Sequence, residues 1–245
     1  MSLPKIASRD EWLAARRTLL VKEKDLTRRR DALSTERRNL PMVKIEKEYV
    51  FDGPDGKVGL LDVFEGRRQL IVQHFMFDPS WDDGCPSCTA AADEISEGLL
   101  RHLHTRDTSF AAISRAPLEK VEKYRAKRGW SFPWYSSFGS DFNYDFHVTI
   151  DEAVAPIEYN FRTKQEIVAT GFEFPEGSSE QPGHSAFLRV GEDVFHTFSS
   201  YARGAEWLGG SYAFLDWTAL GRQEDWEEPR GRAESARAAR PDFAS

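Results

Sequence analysis

The sequence predicts an α/β fold with a central mixed sheet, and three features predict it. Around residue 85 a strand, a helix, a second strand and a second helix follow in order, the βαβα pattern that gives parallel pairing. Residues 185–190 and 194–198 then flank Gly191-Glu192-Asp193, a β-hairpin signal. The chain's two cysteines stand as Cys85-Pro86-Ser87-Cys88, between the apolar run 70–77 and a small-residue helix that begins Thr89-Ala90-Ala91-Ala92. A Cys-x-x-Cys at a strand-to-helix junction is the sequence mark of a thioredoxin-like redox site. The helix N-terminus, with its unpaired N–H groups and positive dipole end, stabilises a thiolate there.

Residues 8–40 read as one long helix. Ser8 and Glu11 form a capping-box pattern. Trp12, Leu19, Leu26, Leu33 and Leu40 recur every seven residues, and Pro41 ends the run. Charges at 22, 23, 29, 30, 36 and 37 keep the stripe narrow, whereas a two-stranded coiled coil needs two apolar positions per heptad. The helix is therefore expected to lie across the domain or against a partner subunit, and a homodimer fits the pattern. Its arginines, among them Arg16, Arg29 and Arg37, alternate with Glu23, Asp25, Asp31 and Glu36 and read as a solvated face rather than a nucleic-acid surface.

Tyr49-Val50-Phe51 runs into a dense turn signal at 52–57, with a return strand or turn at 58–64. Residues 69–77 read as a strand covered on both faces. One helix is expected from the cysteines to about His104, a second buried strand at 108–114, and a helix at 117–127 with Pro117 in its first turn and Gly129 past its end. The stretch from Trp130 to Phe146 is rich in aromatic residues and reads as a packed insertion, a second core more than the lining of a pocket. Residues 207–217 could close the domain, and from Glu227 the Glu-, Arg- and Ala-rich composition reads as a disordered tail. The expected organisation is an N-terminal helical extension at 1–44, a thioredoxin-like domain at 45–226 with an insertion at about 130–183, and a tail at 227–245.

At 245 residues, 40% hydrophobic and 30% charged, the chain can bury a sizeable core as one domain with additions. A net charge of −7 gives no reason to expect a nucleic-acid partner. No apolar run approaches the length of a membrane span. Charges rather than an apolar segment follow the first residues, so no signal peptide is read. With two cysteines in all, a cytoplasmic chain with reduced thiols is expected, and no cofactor.

Cys85 is the expected nucleophile, with Pro86 at the first helical position, and Cys88 the shielded thiol that resolves a mixed disulfide. Trp81, Pro86 and Ser87 border the pair. Asp82 and Asp83 add negative charge that opposes a thiolate. Two readings compete with redox chemistry: buried thiols in a scaffold that binds a ligand elsewhere, and a Cu(I) or zinc site completed by a histidine. His74, inside the apolar strand, reads as a core histidine, and His102 and His104 as residues near a helix C-terminus.

The chain resembles a mainly bacterial thioredoxin-like family, numbered 899 among domains of unknown function, whose members are often described as predicted dithiol-disulfide oxidoreductases. The likeness runs to about Glu228. It is carried by Glu11-Trp12-Leu13-Ala14-Ala15-Arg16, by residues 37–43 and 69–77, by Gly84-Cys85-Pro86-Ser87-Cys88, by Ser114-Arg115-Ala116-Pro117-Leu118, by residues 129–134, and by Phe195-His196-Thr197-Phe198 with the residues to Gly204. It implies a thioredoxin-like fold with an added N-terminal helix. The resemblance supplies no substrate; the dithiol mechanism itself calls for a disulfide-containing protein or small molecule as substrate and an external thiol as reductant. Ordinary thioredoxins carry a Trp directly before the motif and a cis-proline before a late strand. Here Trp81 is separated from Cys85 by Asp82-Asp83-Gly84, and alignment on residues 185–190 puts His184 where that proline would be. This brings His184 towards the thiols, as the histidine of the metal reading. Peroxidases of the fold need a Thr just before the reactive Cys, which residues 78–84 lack.

Overall fold

A computed structural model describes residues 3–174, 177–208 and 210–219, with 228 and 230. The chain divides into two compact units, one of residues 1–41 with part of the C-terminal segment from Phe214, the other chiefly of residues 42–213. The first is built on α1 (Arg9–Arg38). Ser8 caps it, its side chain accepting from the Glu11 N–H while the Glu11 carboxylate accepts from the Ser8 N–H. Trp12, Leu19, Leu26, Leu33 and Leu40 are all exposed. Some of its charges pair along the helix, Arg16 with Glu23 at 2.8 Å and Arg29 with Asp25 at 2.8 Å. The tail expected at 227–245 lies outside the described residues apart from 228 and 230.

The second unit is organised by an eight-stranded sheet. Its elements in chain order are β1 (Val43–Lys44), β2 (Val50–Gly53), β3 (Gly56–Gly59), β4 (Gln69–His74), α2 (Pro86–Asp93), α3 (Glu97–His104), β5 (Thr108–Ser114), α4 (Leu118–Arg128), β6 (Trp134–Ser136), α5 (Phe142–Asp145), β7 (Thr149–Ile150), β8 (Glu158–Tyr159), β9 (Arg162–Thr163), α6 (Lys164–Val168), β10 (Ser179–Glu180), β11 (Gly183–Val190) and β12 (Asp193–Tyr201). A short helix, α7 (Gly210–Leu215), follows. The sheet order is β1-β12-β11-β4-β5-β6-β2-β3. β4, β5 and β6 run parallel, and β11 and β12 add antiparallel strands beyond β4. A β4-α2-β5 crossover followed by the β11–β12 hairpin on the other side of β4 is the thioredoxin-like arrangement. Val43 and Lys44, the last residues of the N-terminal extension, form the edge strand beside β12.

Strand periodicity sorts the core onto two faces. Leu70 and Val72 of β4, Ala111 and Ile113 of β5 and Phe187 of β11 face one cluster with Phe142 and Phe146. Ile71 and Phe75, with Phe110 and Ala112, face the other, under α2 and α4, with Phe132, Trp134 and Cys88. All seven residues of β5 are buried, as a central parallel strand requires. The aromatic stretch is thus divided rather than one packed insertion. Trp134 starts a strand of the main sheet, and its neighbours join one face while Phe142 and Phe146 join the other.

The single helix expected after the cysteines is two. α2 ends at Glu94, and Ser96 caps α3 by accepting from the Leu99 N–H at 3.2 Å. A serine here offers the backbone an alternative to continuing the helix. α4 starts one residue later than its proline, with Pro117 at the cap, and Gly129 at φ 71° ends it in the left-handed conformation that glycine adopts freely. No described helix is long and apolar enough to cross a membrane.

Candidate functional site at the end of strand β4

The dithiol lies where β4 gives way to α2. The Cys85 N–H donates to the Met76 carbonyl at 3.0 Å, and the Cys85 carbonyl accepts from the Thr89 N–H at 2.9 Å, closing the first helical turn. Cys85 is thereby the N-cap of α2, with Pro86 at the first turn. The Thr89 hydroxyl also donates to the Cys85 carbonyl, at 2.9 Å, and pairs with the Tyr124 hydroxyl at 3.0 Å. Both cysteines are thiols. Cys85 is half-buried, and Cys88 is buried at 5% exposure. The Cys88 thiol is pushed well above its ordinary range by its hydrogen bond to Cys85, then by burial and by the charge of Cys85; a backbone contact with Met76 opposes this. Pro86 and Ser87 are exposed beside the pair, and Trp81 is 36% exposed.

Three cations hold the loop that approaches the cysteines. Arg115, which follows β5, donates from Nη2 to Asp78 Oδ2 at 2.7 Å and to Ser178 Oγ at 2.8 Å, and from Nε to Glu180 Oε1 at 2.7 Å. Lys120 Nζ donates to the carbonyls of Pro79 (2.9 Å) and Trp81 (2.7 Å). Lys127 pairs with Asp83 at 2.9 Å, so this aspartate's charge is matched beside the thiols. Gly84 then crosses the Phe75 ring so closely that a Cβ would stand 2.5 Å from it. Only glycine passes there, which fixes the last residue before Cys85.

Glu180 deepens the network. Its side chain is 1% exposed, and it accepts from Thr149 Oγ1 at 3.0 Å and Asn143 Nδ2 at 3.4 Å as well as from Arg115. Burial raises its carboxyl pKa, and Arg115 opposes the rise. Neither Arg115 nor Glu180 is among the site residues that the sequence singles out. A lone Arg after a buried strand, in Ser114-Arg115-Ala116-Pro117, was the available signal.

His184, the second residue of β11, lies directly opposite Gln73 of β4, so both side chains lie on the α2 face. Gln73 Nε2 donates to the Cys88 carbonyl at 3.3 Å. His184 is thus brought to the dithiol side of the sheet, but among the described residues no three His, Cys, Asp or Glu side chains converge as metal ligands. Phe132, Trp134, Phe142 and Phe146 of the aromatic stretch are buried in the two cores.

On the opposite face His74 is a core histidine, as expected. Its Nε2 bonds Ser185 Oγ at 2.7 Å, Ser185 bonds Ser199 at 2.7 Å, and Ser199 bonds His196 Nε2 at 2.7 Å. The His74 ring stacks on Phe146 with centroids 5.6 Å apart.

Among solved structures, a Xanthomonas campestris peroxiredoxin Q is similar at 14% identity, covering 70% of this chain and 92% of its own, with a TM-score of 0.45. Mycobacterium tuberculosis peroxidoxin BcpB is similar at 13% identity, covering 69% and 93%, with a TM-score of 0.41. No curated protein matches the chain. Residues 1–239 match one family throughout, and the chain belongs to it: the bacterial proteins of unknown function DUF899.

Proposed function

We propose that the protein is a thiol–disulfide oxidoreductase working through Cys85 and Cys88. The observation that supports this is the asymmetry of the pair. A half-buried Cys85 caps an eight-residue helix, and a buried Cys88 points its thiol at it. A hydrogen-bond donor and a helix N-terminus both favour negative charge on Cys85, while burial and the neighbouring charge keep the proton on Cys88.

Cys85 thiolate attacks a substrate disulfide and displaces one substrate sulfur. Cys88 then attacks Cys85, and the second substrate sulfur leaves as Cys85 and Cys88 join. The substrate gains the electron pair that the dithiol loses. An external thiol returns the protein to the dithiol. A disulfide-bearing protein or small molecule suits a site whose nucleophile reaches solvent beside exposed Trp81, Pro86 and Ser87.

Cys85→Ser is expected to abolish reduction of insulin and of small disulfides in the presence of a thiol reductant. Retention of wild-type turnover by that variant removes the proposal.

A further inference from the structure

Unpartnered buried polar atoms collect at the end of β4. Gln73 Oε1 and His184 Nδ1 are both sealed from solvent without a hydrogen-bond partner. Such groups are rare in folded proteins, and catalytic use is one of the few reasons they persist. Their positions are linked. Gln73 is tied to the first turn of α2 by its bond to the Cys88 carbonyl. His184 lies directly across the β4–β11 ladder from it, and opposed side chains on one face of such a ladder stand about 5 Å apart at Cβ. An imidazole nitrogen and an amide oxygen are therefore carried by neighbouring residues on the α2 face of the sheet, each lacking a partner that a bridging water could supply.

We propose that His184 is the proton acceptor for Cys88 in the resolving step, with Gln73 holding the first turn of α2 to the strand opposite it. This rests on the dithiol reading above. In the mixed disulfide, Cys85 Sγ is bonded to the substrate sulfur. The Cys88 S–H proton passes, directly or through one water, to His184 Nδ1. The Cys88 thiolate attacks Cys85 Sγ, the Cys85–Cys88 bond forms, and the Cys85–substrate bond breaks. The substrate sulfur leaves with the electron pair and takes the proton from the imidazolium.

The electrostatics fit this timing. Burial holds the His184 pKa down to about 4, so the ring is neutral near pH 7 and has a lone pair to offer. The largest cause of the high Cys88 pKa is Cys85 itself. Once Cys85 is tied in the mixed disulfide its charge is gone, and Cys88 becomes more acidic. A thiolate forming beside the ring makes the imidazole a better base at the same moment.

The test uses a chromogenic aromatic disulfide that releases nitrothiobenzoate twice, first on attack by Cys85 and again on resolution by Cys88, followed by stopped flow on the full chain. His184→Gln is expected to leave the first release unchanged and slow the second about 100-fold, within the range of a lost general base. A second release at the wild-type rate overturns the assignment. So does an equal slowing of both releases, which marks a purely structural role. If His184→Gln does not fold, His184→Asn is read by the same criteria. A wild-type protein that gives no first release refutes the dithiol reading itself, a separate outcome.

Discussion

Arg115→Met is expected to destabilise the protein by about 3–5 kcal/mol, the cost of breaking a buried ion pair from one side. The residue left behind is Glu180, whose side chain is 1% exposed. Its remaining donors, Thr149 and Asn143, are neutral, so the carboxylate must either stay charged in the core or take up a proton. Asp78 loses its cation at the same time, and with it the tie between the β5 end and the loop leading to Cys85. Urea unfolding measures the loss. Adding Glu180→Gln to the same protein removes the stranded charge and is expected to recover part of the stability, so the double variant should be more stable than Arg115→Met alone. A single variant within 1 kcal/mol of wild type, or a double variant less stable than the single, contradicts the buried-pair account.

Acid is expected to weaken the fold below about pH 6.5, through histidines that are buried neutral. His74 is lowered from 6.5 to about 3 by burial, then by the nearby His184 and His196; His184 is lowered to about 4 by burial. At these two rings the unfolded chain therefore binds more protons than the native one at every pH from about 6.5 down to those values. Stability is unaffected above that window and falls within it as the pH drops, by about 1.4 kcal/mol per unit for each histidine. The His74 contribution approaches about 5 kcal/mol at its lower end. Glu180, raised by burial, works in the opposite sense at acid pH. Urea midpoints measured from pH 8 to 4 should decline below 6.5 in wild type, and the decline should be shallower in His74→Gln. A flat profile, or the same slope in both proteins, shows that these rings are not held neutral.

Much of the fold was legible because local pattern and tertiary role coincide. The run 69–77 is apolar because β4 is covered on both faces, and Ser8-to-Glu11 caps α1 as its spacing predicts. Gly129 ends α4 because it stands at positive φ. The strand–helix setting of Cys85-Pro86-Ser87-Cys88 placed the dithiol, and alignment on the late hairpin placed His184 on its side of the sheet. Other features are fixed by contacts that no local pattern records. Trp134 is a strand residue because β5 lies beside it, although its aromatic neighbours read as an insertion. Ser96 restarts a helix that Ala-rich composition would have carried through. Arg115 and Glu180 meet across 65 residues of sequence. A carboxylate in a polar stretch gives no sign that it will be buried. The Asp83 charge, read as a burden on the thiols, is matched by Lys127 from a helix 44 residues further on.

Reversible exchange of Cys85 and Cys88 between dithiol and disulfide underlies the proposed function. It is tested most directly by equilibrating the full chain against graded mixtures of reduced and oxidised dithiothreitol, trapping free thiols by alkylation and weighing the intact protein. One reversible two-electron transition is expected, from a doubly alkylated form to an unalkylated form, and it should disappear in Cys88→Ser. A protein that remains doubly alkylated across the whole series, or that oxidises only by joining two chains, contradicts it.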